Sequence, residues 1–337
     1  MDSITQGLLG ATIAEAGWRE KLGGRAVVWG AFVAVAPDFD IAAGLAGEWA
    51  SIVHHRGVSH SWLVESAVAP LLGWLAWRTI GKREGSWRSW AHLTWWALIT
   101  HPALDVCTAY GTQLFAPVTT HRYAIDAISI IDLFYSVPLF VAVLYSRFGK
   151  DRRRARKVAI GALVCSTLYL GLGFVQSQRA VARAEADLVA RGDFEPVEVR
   201  ALPSFANILV HKVIARDDRG RFRLSLASST LQHDLEWTAV EQEDDPLVRR
   251  TMDSETGRLL QWFSMGFALF DVQATDHGHV VRVRDLRYGG YADPTQTFMG
   301  ARFLYDLDGN LIEAERTRPD RDDRDLSAEV AALWRWF

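Results

Sequence analysis

The sequence predicts an α+β chain: a multi-helix transmembrane bundle, then a soluble, mainly antiparallel β domain with a C-terminal helix. Two observations support this prediction, the uneven distribution of charge and a set of long apolar segments. The 337 residues have a mean hydropathy of +0.02, which averages two unlike halves. Residues 1–176 hold 10 of the 14 tryptophans but only 28 of the 77 charged side chains. The net charge of −3 argues against a nucleic-acid partner, because such proteins carry a basic face.

The apolar segments of the first half set the expected membrane crossings. Residues 158–178 form 21 positions without a charged side chain, enough to cross about 30 Å of hydrocarbon as a helix. Three further segments are nearly as apolar: residues 61–77, 89–104 and 127–148. Residues 4–14 and 25–37 are shorter, and either tilted membrane helices or buried soluble helices would fit them.

Basic residues orient these segments, because cytoplasmic loops are rich in Lys and Arg. Residues 147–157 carry seven Lys or Arg and one Asp, and shorter basic groups lie at 18–21 and 81–83. This orientation predicts a multi-pass protein of the cell inner membrane whose C-terminal domain is periplasmic. It also brings the polar residues at the ends of four apolar segments to one outer face.

The second half is more charged and alternates in the manner of strands. About six strands in one antiparallel sheet are expected, at residues 208–215, 221–227, 267–274, 279–286, 301–307 and 311–316. A helix near residues 327–336 would close the sheet. The expected domains are residues 1–178 in the membrane, a helical connector at 179–195, and a β-rich domain at 196–337.

The polar residues at the outer face are candidates for a metal site, because ionisable groups in an apolar bundle usually pair or bind something. The expected ligands are Asp40, His55, His60, His101, Asp105 and Asp132. Imidazole and carboxylate groups together suit a divalent metal ion, with zinc preferred over manganese or iron. His101 and Asp105 are four residues apart, so one helical face can present both to a single ion.

Three residues are expected to carry the chemistry. Asp38 or Asp40 would be the general base, with Asp38 preferred, and Arg56 and Arg122 would stabilise phosphate charge. Asp38 and Asp40 are alternate residues beyond a proline, so an extended or turn conformation is expected to point both inward. Structural alternatives stand beside these roles: the Asp38–Asp40 segment and Asp132 could be helix caps, and His101 a core histidine.

Five motifs occur in a recognisable order. They are Met1-Asp2-Ser3-Ile4-Thr5-Gln6, Pro37-Asp38-Phe39-Asp40, His55-Arg56-Gly57-Val58-Ser59-His60-Ser61, His101-Pro102-Ala103-Leu104-Asp105 and Thr108-Ala109-Tyr110-Gly111-Thr112. This pattern resembles the YdjM-like family of bacterial inner-membrane proteins, described as predicted metal-dependent hydrolases. The resemblance covers about residues 1–175 and implies a divalent metal, but it identifies no substrate.

A more distant likeness concerns the spacing of the helical ligands. The His-x-x-x-Asp pair resembles the helical zinc sites of phospholipase C enzymes, which would favour phosphoester substrates. His60 and Glu65 are five residues apart, so a second pair of this spacing is absent.

The leading hypothesis is a membrane-embedded, metal-dependent hydrolase whose site faces the outer side of the cytoplasmic membrane. Its expected partners are membrane lipids and a small-molecule, lipid or phosphoester substrate. The alternative is a non-enzymatic envelope scaffold with a structural polar cluster and a partner-binding β domain. A transporter is less favoured, because the sequence shows no inverted repeat. The sequence does not indicate the oligomeric state.

Overall fold

The computed structural model describes residues 1–82, 84–229, 234–317 and 326–334. A helical N-terminal region precedes two antiparallel sheets, so the predicted α+β layout is confirmed. The chain divides into two compact units. Unit one comprises residues 1–175 and 205–208, and unit two comprises residues 176–204 and 209–337.

Among the described residues, eight helices precede the first strand, with two 3-10 segments among them. The helices are α1 (Ser3–Gly17), α2 (Arg19–Leu22), α3 (Arg25–Val35), α4 (Ala50–His54), α5 (Trp62–Thr79), α6 (Trp87–Val106), α7 (Leu133–Phe148) and α8 (Arg152–Arg191). The 3-10 segments are Ala36–Ala46, which extends α3, and Val58–His60, which precedes α5. Asp2 and Ser86 cap α1 and α6 by accepting hydrogen bonds from the backbone N–H groups of Thr5 and Ser89.

Two helical stretches of the described chain are long and apolar enough to cross a membrane. They are Arg25–Ala46, which joins α3 to its 3-10 extension, and Arg152–Arg191, which is α8. Helix α7 is apolar but shorter. The apolar segments at residues 61–77 and 89–104 are helical, as α5 and α6, but a bundle of many membrane crossings stays a prediction.

Helices α1 and α3 are antiparallel and touch through their backbones. A Cβ atom at Gly10 would lie 2.2 Å from the Gly30 carbonyl oxygen, and one at Gly30 would lie 2.5 Å from the Gly10 oxygen. Only glycine fits at either position, and small residues of this kind let helices approach closely. The contact sets the start of α1 beside the end of α3, where the Ser3 hydroxyl donates to Asp38 at 2.6 Å.

Helices α5 and α6 form a second close antiparallel pair. A Cβ atom at Gly73 would lie 2.3 Å from the Cα atom of Ala91. Towards the start of α5, the Trp95 indole donates to the Ser66 hydroxyl at 3.0 Å. This packing sets the beginning of α5 beside the end of α6.

The described part of unit two contains two sheets of four strands, not the single sheet of about six that the sequence predicted. The first has the order β1 (Glu198–Pro203), β2 (Val210–Arg216), β3 (Arg221–Ser228), β4 (Thr238–Glu241). The second has the order β5 (Ala268–Thr275), β6 (Gly278–Asp285), β7 (Gly300–Tyr305), β8 (Leu311–Thr317). Strands β1 and β4 escaped prediction because β1 carries two charges and a proline, and β4 is four largely exposed residues.

Three α-helices follow the first sheet in the residues of unit two that the structure describes. Helices α9 (Pro246–Asp253) and α10 (Glu255–Phe263) precede β5 and were not predicted, whereas α11 (Leu326–Trp334) occupies the place of the predicted C-terminal helix. Residues 335 and 336, included in that prediction, lie outside the described residues. The predicted connector at 179–195 continues α8 as far as Arg191, and its Ala180 and Ala184 are buried with Val213 of the first sheet.

Substitution at the α1–α3 contact should destabilise unit one. Gly10→Ala forces a methyl group into the Gly30 backbone, so we expect a loss of about 1–3 kcal/mol in the free energy of unfolding. Gly17→Ala is the matched control, because nothing lies within 4 Å of a Cβ atom at the exposed end of the same helix. Thermal unfolding of the purified protein in detergent measures both, and equal midpoints for the two variants would contradict the contact.

Lys212 on β2 gives unit two a pH dependence. Burial lowers the pKa of its ammonium group from 10.5 to about 7. The negative charges of Asp285, Glu329 and Asp293 raise the pKa but do not outweigh the burial. Between these pH values the unfolded chain binds more protons than the folded one, so stability should rise as pH rises from about 7 towards 10.5. Lys212→Met should flatten this rise, whereas Lys150→Met at an exposed position should preserve it. Thermal unfolding at several pH values, followed by the circular dichroism of the strands, checks the slope, and an unchanged slope in Lys212→Met would contradict the assignment.

Candidate metal centre

Four side chains of unit one form a candidate metal-binding site, which we call the cluster: Asp38, His60, His101 and Asp105. One donor atom of each lies within 4.8 Å of the others. Asp38 comes from the 3-10 extension of α3, His60 from the 3-10 turn before α5, and the other two from one face of α6. His60, His101 and Asp105 are fully buried, whereas the Asp38 side chain is 14% exposed.

A tight turn brings His60 to the cluster. Arg56 has a positive φ of 59°, and a Cβ atom at Gly57 would lie 2.8 Å from the His54 carbonyl oxygen. The chain reverses there because glycine leaves room for the oxygen, and the following 3-10 turn directs His60 inward.

Hydrogen bonds fix both imidazole rings by their Nδ1 atoms. His101 Nδ1 lies 2.5 Å from the Ala34 carbonyl oxygen, and His60 Nδ1 lies 3.1 Å from Asp40 Oδ2. Nδ1–H donation to a carbonyl or carboxylate oxygen leaves Nε2 as the free ligand atom, as in metal-binding histidines. The two Nε2 atoms face each other at 2.9 Å. Lone pairs at that separation repel unless a cation or a proton lies between them.

Asp105 supplies an oxygen to the same point. Its Oδ1 is engaged by the Met1 amino group, the Gln6 amide and the Arg56 guanidinium, at 2.5, 3.2 and 3.2 Å. Its Oδ2 is buried and accepts no hydrogen bond from the described residues, although it lies 3.3 and 3.4 Å from the two histidine Nε2 atoms. A buried, unsatisfied carboxylate oxygen beside two imidazole nitrogens fits a divalent cation.

The field at His60 favours positive charge. Burial lowers the pKa of its imidazole, but the carboxylates of Asp105, Asp38 and Asp40 outweigh that effect and raise the pKa to about 10. The donor set thus fits a cation by electrostatics as well as by geometry.

Asp40 and His55, both predicted ligands, lie behind His60 and outside the cluster. Asp40 Oδ1 is 2.7 Å from His55 Nδ1, and its Oδ2 accepts from the Ser59 hydroxyl at 2.6 Å and the Arg56 backbone N–H at 3.0 Å. Both Asp40 oxygens are therefore occupied, and the side chain orients His60. The segment that carries Asp38 and Asp40 is a 3-10 helix, not the extended or turn conformation that we expected.

The two predicted arginines share one aromatic ring. The guanidinium carbons of Arg56 and Arg122 lie 4.7 and 5.1 Å from the centre of the Tyr110 ring. Arg56 also donates to the Thr108 hydroxyl at 2.9 Å, and Arg122 donates to the Gly111 carbonyl oxygen at 2.8 Å. Both arginines are buried, and Arg56 touches the cluster directly through Asp105.

Asp132 serves as a helix cap in the structure. Its Oδ1 accepts from the backbone N–H groups of Phe134 and Tyr135 at the start of α7, and its Oδ2 accepts from the Tyr169 hydroxyl at 3.0 Å. The cluster does not include it. These contacts are those of a helix cap, the structural alternative that the sequence left open for Asp132.

The predicted site residues did not include Glu65. Its side chain is buried, neither oxygen has a hydrogen-bond partner among the described residues, and the charges of His60 and Asp105 act on it. The five-residue spacing from His60 was misleading, because His60 precedes α5 and only Glu65 belongs to the helix. The useful signal was the helical spacing of Glu65, Ala69 and Gly73, the buried face of α5.

Removal of His101 should empty the cluster of metal. His101→Ala deletes one of the two facing Nε2 atoms. Elemental analysis of the detergent-purified proteins should therefore find stoichiometric metal in the wild type and none in this variant. His92→Ala is the matched control, because His92 is exposed on the same helix. Full metal content in His101→Ala would contradict the assignment.

Comparison with known proteins identifies the family. A family model described as YdjM inner membrane protein matches residues 1–180, which is more than half of the chain and includes the whole cluster. Searches of the curated proteins and of the solved structures give no significant match. The match confirms the family that the sequence motifs indicated. The chain therefore belongs to the YdjM inner membrane protein family.

Proposed function

We propose that this protein is a membrane-embedded, zinc-dependent hydrolase of phosphoesters. The observation that carries the proposal is the convergence of His60 Nε2, His101 Nε2 and Asp105 Oδ2 on one buried point. Two imidazoles and one carboxylate are the donor set of many catalytic zinc sites, which keep a further position open for water or substrate. In the proposal these three residues hold the ion.

A bound zinc ion would lower the pKa of water towards neutrality and polarise a phosphoryl oxygen. Asp38 is the cluster member that solvent reaches, and its Oδ1 lies 3.5 and 3.4 Å from the two histidine Nε2 atoms. In the proposal Asp38 takes a proton from the attacking water, whose oxygen bonds to phosphorus. The bond to the leaving oxygen breaks, that oxygen keeps the electron pair, and it then receives the proton from Asp38.

The arginines complete the proposed site. Arg56 lies against Asp105, and Arg122 lies on the Tyr110 ring that Arg56 also contacts. Guanidinium groups stay charged and match the geometry of phosphate oxygens, so both would stabilise negative charge that develops on a phosphoryl group. Burial strengthens that interaction, because little water screens it.

The proposed membrane arrangement is multi-pass, with basic loops in the cytoplasm, the cluster on the outer side, and unit two in the periplasm. Large apolar side chains are exposed on several helices of unit one, which supports lipid contact. Examples are Val28, Phe32, Leu71, Trp74, Val137, Val141 and Leu168.

A second candidate function is that of an envelope scaffold without catalysis. The full burial of three cluster members favours it, because a cation there could join the turn before α5 to α6 without meeting a substrate. The two functions differ in hydrolysis, and only the hydrolase requires the metal.

The role of Asp38 distinguishes them. We expect zinc-loaded wild-type protein in detergent to hydrolyse bis(p-nitrophenyl) phosphate or p-nitrophenyl phosphate, with activity removed by a chelator and restored by zinc. Asp38→Asn should lower the rate by about 10²–10⁴-fold without loss of zinc, because it removes the proton acceptor. Asp151→Asn, an exposed substitution in the basic loop, is the control.

Three results would count against this proposal. Loss of zinc in Asp38→Asn would make Asp38 a ligand instead of the base. Bound zinc without hydrolysis of either probe would favour the scaffold. A wild-type protein without bound metal would contradict the hydrolase and favour a scaffold whose polar cluster is structural.

A further inference from the structure

The surface around Asp38 bears on the substrate. Resting on the proposed function, we propose that the substrate is a lipid phosphoester, whose head group enters beside Asp38 and whose acyl chains lie against an apolar rim. The apolar rim consists of five side chains, each more than half exposed: Ile4, Phe39, Ile41, Leu45 and Val58.

The exposed surface of the cluster lies at Asp38. Asp38 is its one member with exposed surface, so a substrate reaches the donor atoms past this side chain. The features next to Asp38 therefore decide which molecules can approach.

The 3-10 helix Ala36–Ala46 places apolar side chains beside Asp38. With three residues per turn, side chains at i and i+3 eclipse one another. Ile41 therefore stands directly above Asp38 in one row, while Phe39 and Leu45 share a second row. The third row includes Asp40, whose contacts with His55 and Ser59 turn it towards the protein. One short helix thus carries both the Asp38 carboxylate and the exposed apolar side chains of Phe39, Ile41 and Leu45.

Two other segments extend the rim. Ile4 follows Ser3, whose hydroxyl donates to Asp38 Oδ2 at 2.6 Å. Val58 lies two residues before His60, in the 3-10 turn that brings the histidine to the cluster. In α1 and in the turn before α5, an exposed apolar side chain therefore lies within two residues of a side chain that touches Asp38 or belongs to the cluster.

This combination fits an amphiphile better than a water-soluble phosphoester. A phosphate head group meets buried arginines and the cation centre, whereas acyl chains meet exposed aliphatic and aromatic side chains. In a chain of an inner-membrane family, a lipid can keep its tails among apolar groups while its head group moves to the site. A soluble phosphoester would leave the rim without a role in recognition.

Matched substrates test the inference. Phosphatidic acid against glycerol 3-phosphate, and phosphatidylglycerol against glycerophosphoglycerol, differ only in their acyl chains. The assay uses zinc-loaded full-length protein in maltoside micelles. In whichever pair is hydrolysed, we expect kcat/KM to be at least 100-fold higher for the lipid than for its soluble partner. In a series of short-chain lipids, binding should strengthen by up to about fourfold for each added methylene that the rim covers.

Variants locate the effect. Ile41→Ser and Leu45→Ser should each lower the preference for the lipid over its soluble partner by about tenfold, whereas Val28→Ser should not, because Val28 is an exposed residue on α3, ten residues before Asp38. A readout without turnover is the thermal midpoint of the metal-free protein. Phosphatidic acid should raise this midpoint more than glycerol 3-phosphate does. The rise that phosphatidic acid causes should be smaller in Ile41→Ser than in the wild type.

The possible failures are distinct. Equal kcat/KM for lipid and soluble partners would overturn the inference and leave the hydrolase intact. An equal loss in Val28→Ser would show that the rim is general lipid-facing surface and also overturn it. Absence of hydrolysis of every probe would contradict the proposed function and the inference together.

Discussion

The facing Nε2 atoms of His60 and His101 are the constraint on which the structure of unit one depends. Two imidazole nitrogens 2.9 Å apart need a positive charge between them, and each ring must be held from behind. The Ala34 carbonyl oxygen holds one ring and Asp40 holds the other. Because these two oxygens belong to α3 and its extension, the donor geometry requires α3 to lie correctly against both α6 and the turn before α5.

Close helix packing meets that requirement. Gly10 and Gly30 let α1 and α3 touch. This contact fixes where Ala34 lies along α1 and places Ser3 against Asp38. Gly73 gives α5 and α6 a similar contact, so that the turn carrying His60 lies beside the end of α6. Glycines without chemical function therefore determine where the chemical groups meet.

Much of the site could be predicted from the sequence, because spacing along a helix translates directly into position. His101 and Asp105 lie one turn apart, and both belong to the cluster. The different roles of Asp38 and Asp40 could not be predicted, since they depend on a 3-10 helix instead of the expected extended or turn conformation. Asp132 shows a related limit: a carboxylate at a helix start has the same sequence signature as a ligand and as a cap. In unit two, β4 was missed because four largely exposed residues leave no apolar alternation.

The 3-10 segment also makes chain length critical between α3 and α4. Each residue of such a helix rotates its side chain by about 120° from the last, so one inserted residue ahead of Asp38 would move every later side chain to the next row. Asp38 would no longer face the other donor atoms of the cluster, and Asp40 would no longer contact His55 and Ser59. Substitutions at the exposed positions of this segment preserve the register, whereas single insertions and deletions destroy it. Descendants of this sequence should therefore vary in residue type here and stay constant in length.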